Sequence, residues 1–407
     1  MRALWLTSSY PRHAGDYAGI FLHRWARGLA SRGVEVRVLC PGWKDAPARE
    51  RLDGVDVFRF PYVWPRRLER LAYGDAGIMV GIARDRWAAA QLAPFAASLA
   101  WHALRLAGDA DLIHAFWTPL GAVALAAGAI RRRPVVLSPL GTDLRALPER
   151  FNRAVIHFAR AIVAGGGPCT EVHDRLAQMT AKPLHRIFLP LDETALDAGD
   201  SDAFRREFGI KDERVVTFIA RMYDLKDPWT MLDAAARLVE RRPHTRVVFV
   251  GDGPLRPSLR EGAKSRGLAR HAIFTGARSD IGSILKASDV FVSLNLVDNC
   301  WATTIAEAMY LGVPCVISDG GPQVPGEAGA EKLSLERKLF PHGEAAWLVP
   351  QRDPDTLALM IDRILGDQEL AGRLAEGGRA LLEGHRRRDD LILDDTLKLY
   401  ESVTDGH

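Results

Sequence analysis

The chain has 407 residues, of which 47% are hydrophobic and 26% are charged, a composition typical of a soluble globular protein with two or three domains. Its four cysteines are far apart and form neither a CxxC motif nor a metal-binding pattern, so reduced thiols in a cytoplasmic protein are expected. They are Cys40, Cys169, Cys300 and Cys315. The first residues, MRALWLTSSYPR, lack the long apolar core of a signal peptide and predict a strand instead.

Positive charge is concentrated in the first half of the chain. Residues 1–190 carry 26 Lys and Arg against 15 Asp and Glu, a net charge of +11. The remaining residues carry 28 against 36, a net charge of −8. This asymmetry predicts that the first half meets an anionic surface or acceptor, such as a lipid phosphate. The equal alternative is an arginine-rich face that is simply solvated.

The first strand, predicted over residues 2–8, runs into a loop that contains Gly15 and Gly19, and a helix is predicted over residues 21–31. A glycine-bearing loop between a strand and a helix lets the backbone approach a phosphate closely. Both glycines are therefore candidate ligand contacts, and a plain turn is the equal alternative for each. The loop lacks GxGxxG, so the fingerprint of a dinucleotide-binding site is absent.

Further strands are predicted over residues 34–40 and 55–60, and a segment rich in arginine and aromatic residues follows. Its side chains include Tyr62, Trp64, Arg66, Arg67, Arg70, Tyr73, Arg86 and Trp87. This mixture is typical of a segment that docks on an anionic membrane surface, and ordinary helix packing is the alternative. Nothing resembles an RNA-binding module, so nucleic acid is not a predicted partner. The alanine-rich run over residues 87–106 predicts a helix packed within the domain rather than a membrane span.

The strands predicted over residues 111–117 and 134–138 carry polar residues near their carboxyl ends. His114 lies in the first strand, and Asp143 follows the second in a Gly-Thr-Asp turn. Ligands bind at this edge of an open α/β sheet, so both residues are candidate functional groups. A structural histidine and a helix cap are the alternatives. The acidic, aperiodic residues 190–200 predict an interdomain linker.

The second half repeats the alternation of strands and helices. A strand predicted over residues 215–220 is followed by Arg221 and, five residues later, by Lys226. Two cations with this spacing in a strand-to-helix loop can reach one diphosphate from two sides and neutralise its charge. Two solvated charges are the alternative. After the next strand, Gly253 lies in a Gly-Asp-Gly-Pro turn before a helix.

Residues 291–321 carry the strongest chemical signal in the chain. They predict a strand, a loop, a helix from Trp301 to Leu311 and a second strand, which is one βαβ turn of a parallel sheet. The free backbone N–H groups at the start of such a helix, here those of residues 302–305, can hold a phosphate. Glu307, one turn further on, can accept hydrogen bonds from a ribose diol. An ordinary amphipathic helix with a surface glutamate is the alternative.

This stretch resembles the donor-binding segment of the retaining, family 4 glycosyltransferases of GT-B fold. The matching residues are Glu307-Ala308-Met309, Gly312-Val313-Pro314 and Gly320-Gly321, together with Arg221 and Lys226 and, in the first half, His114 and Asp143. The departures are Asn299, beside Asp298, where the family has a glutamate, and Phe116 and Leu140 where it has histidines. The departure at Asn299 affects the position that the family associates with the transferred sugar.

The resemblance implies an α/β fold of GT-B type, in which two Rossmann-like, doubly wound parallel-sheet domains face a central cleft. Residues 1–190 would form the N-terminal, acceptor-binding domain, and residues 200–385 the C-terminal domain that binds the nucleotide sugar. The last helix, within residues 386–407, would cross back onto the first domain.

The implied activity is retaining transfer of a sugar from a UDP- or GDP-sugar to a glycan or to a polyprenyl- or lipid-linked acceptor, without a metal ion or other cofactor. The implied catalytic residues are Arg221, Lys226, Glu307, Asn299, His114 and Asp143. The implied donor-binding residues are Gly15, Gly19, Arg221, Lys226, Gly253, Trp301, Thr303, Thr304, Ile305 and Glu307. A nucleotide-sugar epimerase and a catalytically inactive subunit that binds nucleotide or lipid are the alternatives. The implied location is the cytoplasm, at the inner face of the membrane if the acceptor is a lipid.

Overall fold

Parallel strands alternate with helices in both halves of the chain. The computed structural model describes residues 1–13, 16, 18–44, 46–73, 78, 82, 85–140, 142–165, 171–296, 302–319, 336, 339–385 and 387–405. The chain divides into unit 1, which comprises Met1–Pro190 and Asp389–His407, and unit 2, which comprises Leu191–Arg388. Each unit has its own sheet, so the predicted α/β class with two parallel-sheet domains is confirmed.

The strands of unit 1 form one sheet. They are β1 (Arg2–Leu6), β2 (Glu35–Pro41), β3 (Arg49–Leu52), β4 (Val55–Phe60), β5 (Leu112–Phe116), β6 (Val135–Ser138), β7 (Ala161–Val163) and β8 (Leu184–His185). Their order is β3-β4-β2-β1-β5-β6-β7-β8, and β3 is antiparallel to β4. The central strands are buried along nearly their whole length, which explains why they read as continuous apolar runs.

The sequence pattern does not predict β3. The Asp53-Gly54 turn between β3 and β4 has positive φ at both residues, 46° and 85°. This is the backbone geometry that tight hairpins favour, and the Asp-Gly dipeptide is the signal that would have revealed the hairpin.

The helices of residues 1–190 connect the strands. They are α1 (Ile20–Ala30), α2 (Arg86–Ala90), α3 (Leu92–Leu106), α4 (Thr118–Arg131), α5 (Thr142–Ala146), α6 (Glu149–Phe158) and α7 (Glu171–Met179). Leucine, valine and alanine side chains of the helices and the sheet form one continuous apolar core.

Unit 2 contains a six-stranded, fully parallel sheet. Its strands are β9 (Arg214–Ile219), β10 (Thr245–Val250), β11 (Ala272–Gly276), β12 (Val290–Ser293), β13 (Cys315–Asp319) and β14 (Trp347–Pro350), in the order β11-β10-β9-β12-β13-β14. Its helices are α8 (Glu193–Asp197), α9 (Ser201–Glu207), α10 (Pro228–Arg241), α11 (Arg256–Ser265), α12 (Ile281–Lys286), α13 (Thr303–Tyr310), α14 (Pro354–Gly366) and α15 (Gln368–Gly384).

The sequence predicts none of the helices α8, α9 and α15 of unit 2. The short helix α8 lies within the predicted linker, and the Asp192 side chain caps it by accepting the Ala195 N–H at 3.4 Å. The long helix α15 has no counterpart in the prediction. Its buried Leu370, Leu374 and Leu382 follow a four-residue spacing that two consecutive Gly residues and a polar face obscure.

The last helix, α16 (Asp389–Thr404), belongs to unit 1. Two buried tryptophans of the first strand and helix bind it: the Trp5 indole N–H donates to the Tyr400 hydroxyl at 2.9 Å, and the Trp25 indole N–H donates to Thr396 Oγ1 at 3.0 Å. A tryptophan buried in a core normally finds such a partner. Within the residues that the structure describes, no helix is both long enough and apolar enough to cross a membrane.

Candidate functional site

The strand order of unit 2 defines the edge at which a ligand is expected. β9 lies between β10 and β12, so the connections from β9 and β12 leave the sheet in different directions. Such a switch point opens a crevice at the carboxyl ends of the two strands, which is the usual ligand site of open α/β sheets. The loops at this crevice follow Ile219 and Ser293.

The loop after β9 carries the two predicted cations. Arg221 is exposed, and Lys226 is half-buried at the end of a 3-10 turn, Asp224–Lys226. The Arg221 guanidinium lies 4.9 Å from the centre of the Tyr223 ring and donates to the Tyr223 hydroxyl at 3.3 Å. This contact restricts the arginine side chain. The sequence prediction does not include Tyr223, although an aromatic residue two positions from a candidate arginine is the available signal.

A backbone hydrogen bond joins this loop to the loop after β12. The Leu296 N–H donates to the Leu225 carbonyl at 2.9 Å. The preceding residue, Asn295, is held by β13 and by the turn after β14: its N–H donates to Ser318 Oγ at 2.8 Å, and its carbonyl accepts from the Gln351 amide at 2.7 Å. The cation-bearing loop is therefore fixed to the chain that leads toward α13.

Gly253 fixes the same loop from its other side. The Met222 N–H donates to the Asp252 carbonyl at 2.9 Å, and the Leu255 N–H donates to the Met222 carbonyl at 3.0 Å. A Cβ at Gly253 would lie 2.5 Å from the Met222 carbonyl oxygen, which no side chain can tolerate without a backbone shift. Gly253 thus holds the residue next to Arg221, and its predicted contact with the donor stays a prediction.

Helix α13 begins after Ala302, and its first turn is the place where the sequence predicts anion-binding N–H groups. The Ile305 N–H donates to the Ala302 carbonyl at 2.9 Å, and the Ile305 side chain is buried. This corrects the predicted role of Ile305, because its N–H is already engaged within the helix. Thr303 and Thr304, which are both half-buried, are the candidates of the first turn for phosphate contact.

Glu307 is 2% exposed in the middle of α13. The alternative of a surface glutamate on an amphipathic helix is therefore wrong. A buried carboxylate is stable only when it is hydrogen-bonded or paired, so the position requires a polar environment. The predicted contact of Glu307 with a ribose diol stays a prediction.

Several predicted positions lie outside the described residues. Of the site residues these are Gly15, Asn299 and Trp301, and of the other residues named above they are Asp298, Gly320, Gly321, Cys169 and Cys300. Cys40 and Cys315 are buried free thiols. Among the described residues, no three His, Cys, Asp or Glu side chains form a group that could hold a metal ion.

His114 lies in the core of unit 1 and has no exposed surface. The Tyr400 hydroxyl is 2.6 Å from Nδ1, and Ser138 Oγ is 2.7 Å from Nε2. Phe116 stacks on the imidazole with ring centres 4.4 Å apart. The structure contradicts the predicted acceptor-side role of His114, because an acceptor has no surface of this side chain to contact.

Burial lowers the pKa of His114 to about 3, far below the ordinary value of about 6.5. In the unfolded chain the His114 imidazole binds a proton below about pH 6.5, whereas in the folded protein it does so only near pH 3. The contribution of neutral His114 to stability is therefore complete above about pH 6.5 and is lost as the pH falls. We expect the free energy of unfolding to decrease by about 1.4 kcal/mol per pH unit over this window. Urea unfolding at pH 7 and pH 5 measures the effect.

His114→Gln should lose this part of the pH dependence, whereas His244→Gln, at an exposed histidine, should retain it. Equal pH dependence in His114→Gln and the wild type would contradict the assignment.

Asp143 is buried and caps a helix. Its carboxylate accepts the Thr118 N–H at 2.7 Å, at the first residue of α4. Thr118 Oγ1 donates to Asn152 Oδ1 at 2.8 Å, so the N–H and the hydroxyl of Thr118 are both hydrogen-bonded. The residue before α4, Trp117, has a φ of 69° and gives no side-chain cap, so Asp143 fulfils that role. The predicted acceptor-side role is not supported, and the capping alternative holds, although the capped helix precedes Asp143 instead of following it.

Gly19 is required by the packing of the loop after β1. Its φ is 64°, and a Cβ there would lie 2.4 Å from the Ser9 carbonyl oxygen. Asp16 stabilises the same loop by accepting the backbone N–H of Arg12 at 2.9 Å and its Nε–H at 2.7 Å. The geometry explains the glycine without a ligand, and the predicted donor contact of Gly19 stays a prediction.

The architecture is that of the GT-B glycosyltransferases. The crystal structure of Anabaena HepE in complex with UDP and glucose matches it with a TM-score of 0.70 over 99% of this chain and 100% of that one, at 19% identity. A likeness at this identity shows the fold, which agrees with the predicted GT-B class.

Family models match both halves of the sequence. The model described as Glycosyl transferase 4-like domain covers residues 18–191, and the model described as Glycosyl transferases group 1 covers residues 200–381. The chain therefore belongs to the family 4 type of GT-B glycosyltransferases.

Two individual relatives are named as transferases of particular sugars. The phosphatidyl-myo-inositol mannosyltransferase of Mycolicibacterium smegmatis is 31% identical over 305 residues, which are 73% of this chain and 72% of that protein. The alpha-D-kanosaminyltransferase of Streptomyces kanamyceticus is 28% identical over 258 residues, which are 62% of each chain. The second match thus spans less than two thirds of the relative.

Proposed function

We propose that this protein transfers a sugar from a UDP- or GDP-sugar to an acceptor with retention of the anomeric configuration. The observation that carries the proposal is the hydrogen bond from Leu296 to Leu225, which ties the loop of Arg221 and Lys226 to the chain that leads toward α13. Two cations and the start of a helix at one sheet edge are the combination that a sugar diphosphate requires. Family membership supports the reaction class, and the UDP in the HepE crystal structure supports uridine as the base.

The charge that develops on the leaving group determines the roles of these residues. As the bond from the anomeric carbon to the phosphate oxygen breaks, negative charge grows on the nucleoside diphosphate. Arg221 and Lys226 neutralise it, and the N–H groups of Thr303 and Thr304 donate to the same phosphates. Because the charge is larger in the transition state than in the ground state, fixed donors lower the barrier. Glu307 accepts hydrogen bonds from the ribose hydroxyls.

Retention is proposed to result from departure and attack on the same face of the sugar. The acceptor oxygen forms its bond to the anomeric carbon while the phosphate oxygen leaves, and the acceptor proton passes to that phosphate oxygen. The step forms no covalent intermediate with the protein and needs no divalent ion, since the cations of the chain supply the positive charge. Asn299 and Trp301 are proposed to contact the transferred sugar.

The proposed acceptor is a glycan or a lipid-linked molecule. The net charge of +11 over residues 1–190 supports an acceptor with anionic groups. The relative from Mycolicibacterium is named for phosphatidyl-myo-inositol, which supports a lipid-linked one. The location that fits this acceptor is the cytoplasm, at the inner face of the membrane.

Thermal unfolding with UDP, GDP, ADP and CDP, each with and without EDTA, tests the proposed donor. We expect UDP or GDP to raise the melting temperature by several degrees, because a ligand at 100 times its Kd adds about 2.7 kcal/mol to the stability. EDTA should leave the shift unchanged. Absence of a shift with all four nucleotides, or a shift that requires added Mn²⁺, would contradict the proposed site.

Turnover distinguishes the proposal from its two rivals. A protein that binds UDP or GDP but neither transfers nor hydrolyses the sugar would be an inactive binding subunit. Release of an altered free sugar without an acceptor would identify an epimerase.

A further inference from the structure

Helix α3 has an apolar face that no other described part of the protein covers. Phe95, Leu99 and Ala103 are buried against the sheet. The exposed positions of the helix before its last turn are Leu92, Ala93, Pro94, Ala96, Ala97, Ala100 and Trp101. A helix on the surface of a globular protein normally carries charged residues on its outer face. No charged residue occurs between Arg86 and Arg105, so this helix is apolar on both faces.

Three tryptophans extend the exposed apolar face. Trp101 is 60% exposed on α3, Trp87 is 76% exposed on α2, and Trp64 is 85% exposed in the preceding segment. A contiguous exposed apolar surface, unlike a single exposed side chain, marks a site of contact with a protein or a membrane. We call Trp64, Trp87 and the exposed residues of α3 the interfacial surface.

Gln91 connects the parts of the interfacial surface. It lies between α2 and α3, and its amide group donates to the Leu68 carbonyl at 2.7 Å and accepts the Arg70 N–H at 2.9 Å. The segment that follows Trp64 is therefore packed directly against the junction of the two helices.

Arginines border the interfacial surface at both ends. Arg67, Arg70 and Arg86 are exposed near its start. At the other end Arg105 is exposed, and Arg131 lies beside it because its Nε–H donates to the Leu104 carbonyl at 3.0 Å. The described acids of this region are Glu69, which is buried, and Asp85, which caps α2 through the Trp87 N–H at 2.8 Å and lies 3.8 Å from Arg70. The border is therefore positively charged.

Part of the basic and aromatic segment predicted from the sequence serves packing. Tyr62 is buried, and its hydroxyl accepts the Ala72 N–H at 3.2 Å. The Tyr73 hydroxyl donates to the Pro41 carbonyl at 3.3 Å. The residues available to a partner are the tryptophans, the outer face of α3 and the bordering arginines.

We propose that the interfacial surface docks on an anionic lipid bilayer, with α3 lying in the plane of the headgroups. Tryptophan favours the headgroup level, apolar residues enter the boundary of the acyl chains, and arginines bind anionic headgroups. A second copy of the chain is disfavoured, because a two-fold contact would bring positively charged borders together. Only the purpose of docking rests on the proposed function: it would bring the enzyme to a membrane-bound acceptor.

Co-sedimentation with vesicles tests the proposal on the full chain. The wild type should bind vesicles of phosphatidylglycerol and phosphatidylcholine, and should bind more weakly at high salt or to phosphatidylcholine alone. The double variant Trp87→Ser with Trp101→Ser should weaken binding at least about tenfold. The control Phe158→Ser removes an aromatic side chain that is 71% exposed on another helix, and it should bind like the wild type.

A second pair of variants tests the charged border. Arg86→Gln with Arg105→Gln should weaken binding to the anionic vesicles about tenfold or more, as expected from about 1 kcal/mol per arginine. Arg241→Gln, at an exposed arginine of unit 2, is the control. Vesicle binding that the tryptophan variant leaves unchanged would overturn the proposal. The absence of vesicle binding by the wild type would also overturn it. So would a wild type that is dimeric in solution and becomes monomeric when the two tryptophans are replaced.

The vesicle assay needs no nucleotide sugar, so its outcome is independent of the proposed reaction. Arg221→Ala should bind vesicles like the wild type even if it transfers no sugar. Vesicle binding through the tryptophans without any turnover would overturn the proposed function but would support the proposed docking surface.

Discussion

Replacing Arg221 or Lys226 by alanine is expected to lower turnover at least about tenfold, which corresponds to about 1.4 kcal/mol or more of lost transition-state stabilisation. The reason is that in the proposed reaction each side chain neutralises the additional negative charge that the diphosphate acquires as the glycosidic bond breaks. Initial rates of transfer or hydrolysis, measured with sugars of the nucleoside diphosphate that the thermal shift identifies, give the effect. Arg241→Ala, at an exposed arginine in the last turn of α10, is the matched control.

The variant Arg221→Lys separates charge from geometry. It keeps the positive charge and loses the planar group that stacks on Tyr223 at 4.9 Å, so we expect an intermediate rate. Rates near the wild type in both alanine variants would contradict the proposal that this loop binds the diphosphate.

Gly253→Ala is expected to lower the free energy of unfolding by about 1 to 3 kcal/mol and to weaken binding of the nucleoside diphosphate. The new methyl group would lie 2.5 Å from the Met222 carbonyl oxygen, and the backbone next to Arg221 must move to accept it. Urea unfolding and the nucleotide-induced thermal shift measure the two effects.

Gly267→Ala is the control for the backbone strain of Gly253→Ala. Gly267 also has a positive φ, 72°, but no atom lies within 4 Å of its added Cβ. It should lose stability through backbone strain alone and bind the nucleotide like the wild type. Equal effects of the two substitutions on nucleotide binding would show that the contact with Met222 does not position Arg221.

The alternation of strands and helices could be predicted because parallel strands are buried on both faces. The sequences of β1, β5 and β9 are short apolar runs, and each is followed by turn residues and a helical pattern. Local sequence carries all of this information. The sequence likewise predicts that Arg221 and Lys226 lie in one loop between a strand and a helix, and the structure has them there.

The roles of His114 and Asp143 could not be predicted from local sequence. A histidine in a strand reads the same whether it points to a ligand or into the core, and here the core is completed by Tyr400, 286 positions away along the chain. Asp143 accepts the N–H of Thr118, which lies 25 residues before it. Both outcomes depend on tertiary contacts that no local pattern encodes.

The exposed face of α3 illustrates the same limit from the other direction. Its alanine-rich sequence fits a buried helix as well as an exposed one, and only the packing of Phe95, Leu99 and Ala103 against the sheet shows which side is left open. Trp101 then becomes a candidate contact with a partner instead of a core residue.

The most direct test of the central claim compares nucleotides that differ by one phosphate. Calorimetric titration should give a Kd for the nucleoside diphosphate at least about tenfold lower than for the monophosphate of the same base, since the cations and the start of α13 hold the second phosphate. In Lys226→Ala and Arg221→Ala this preference should largely disappear, and in Arg241→Ala it should persist. An undiminished preference in both site variants would contradict the account.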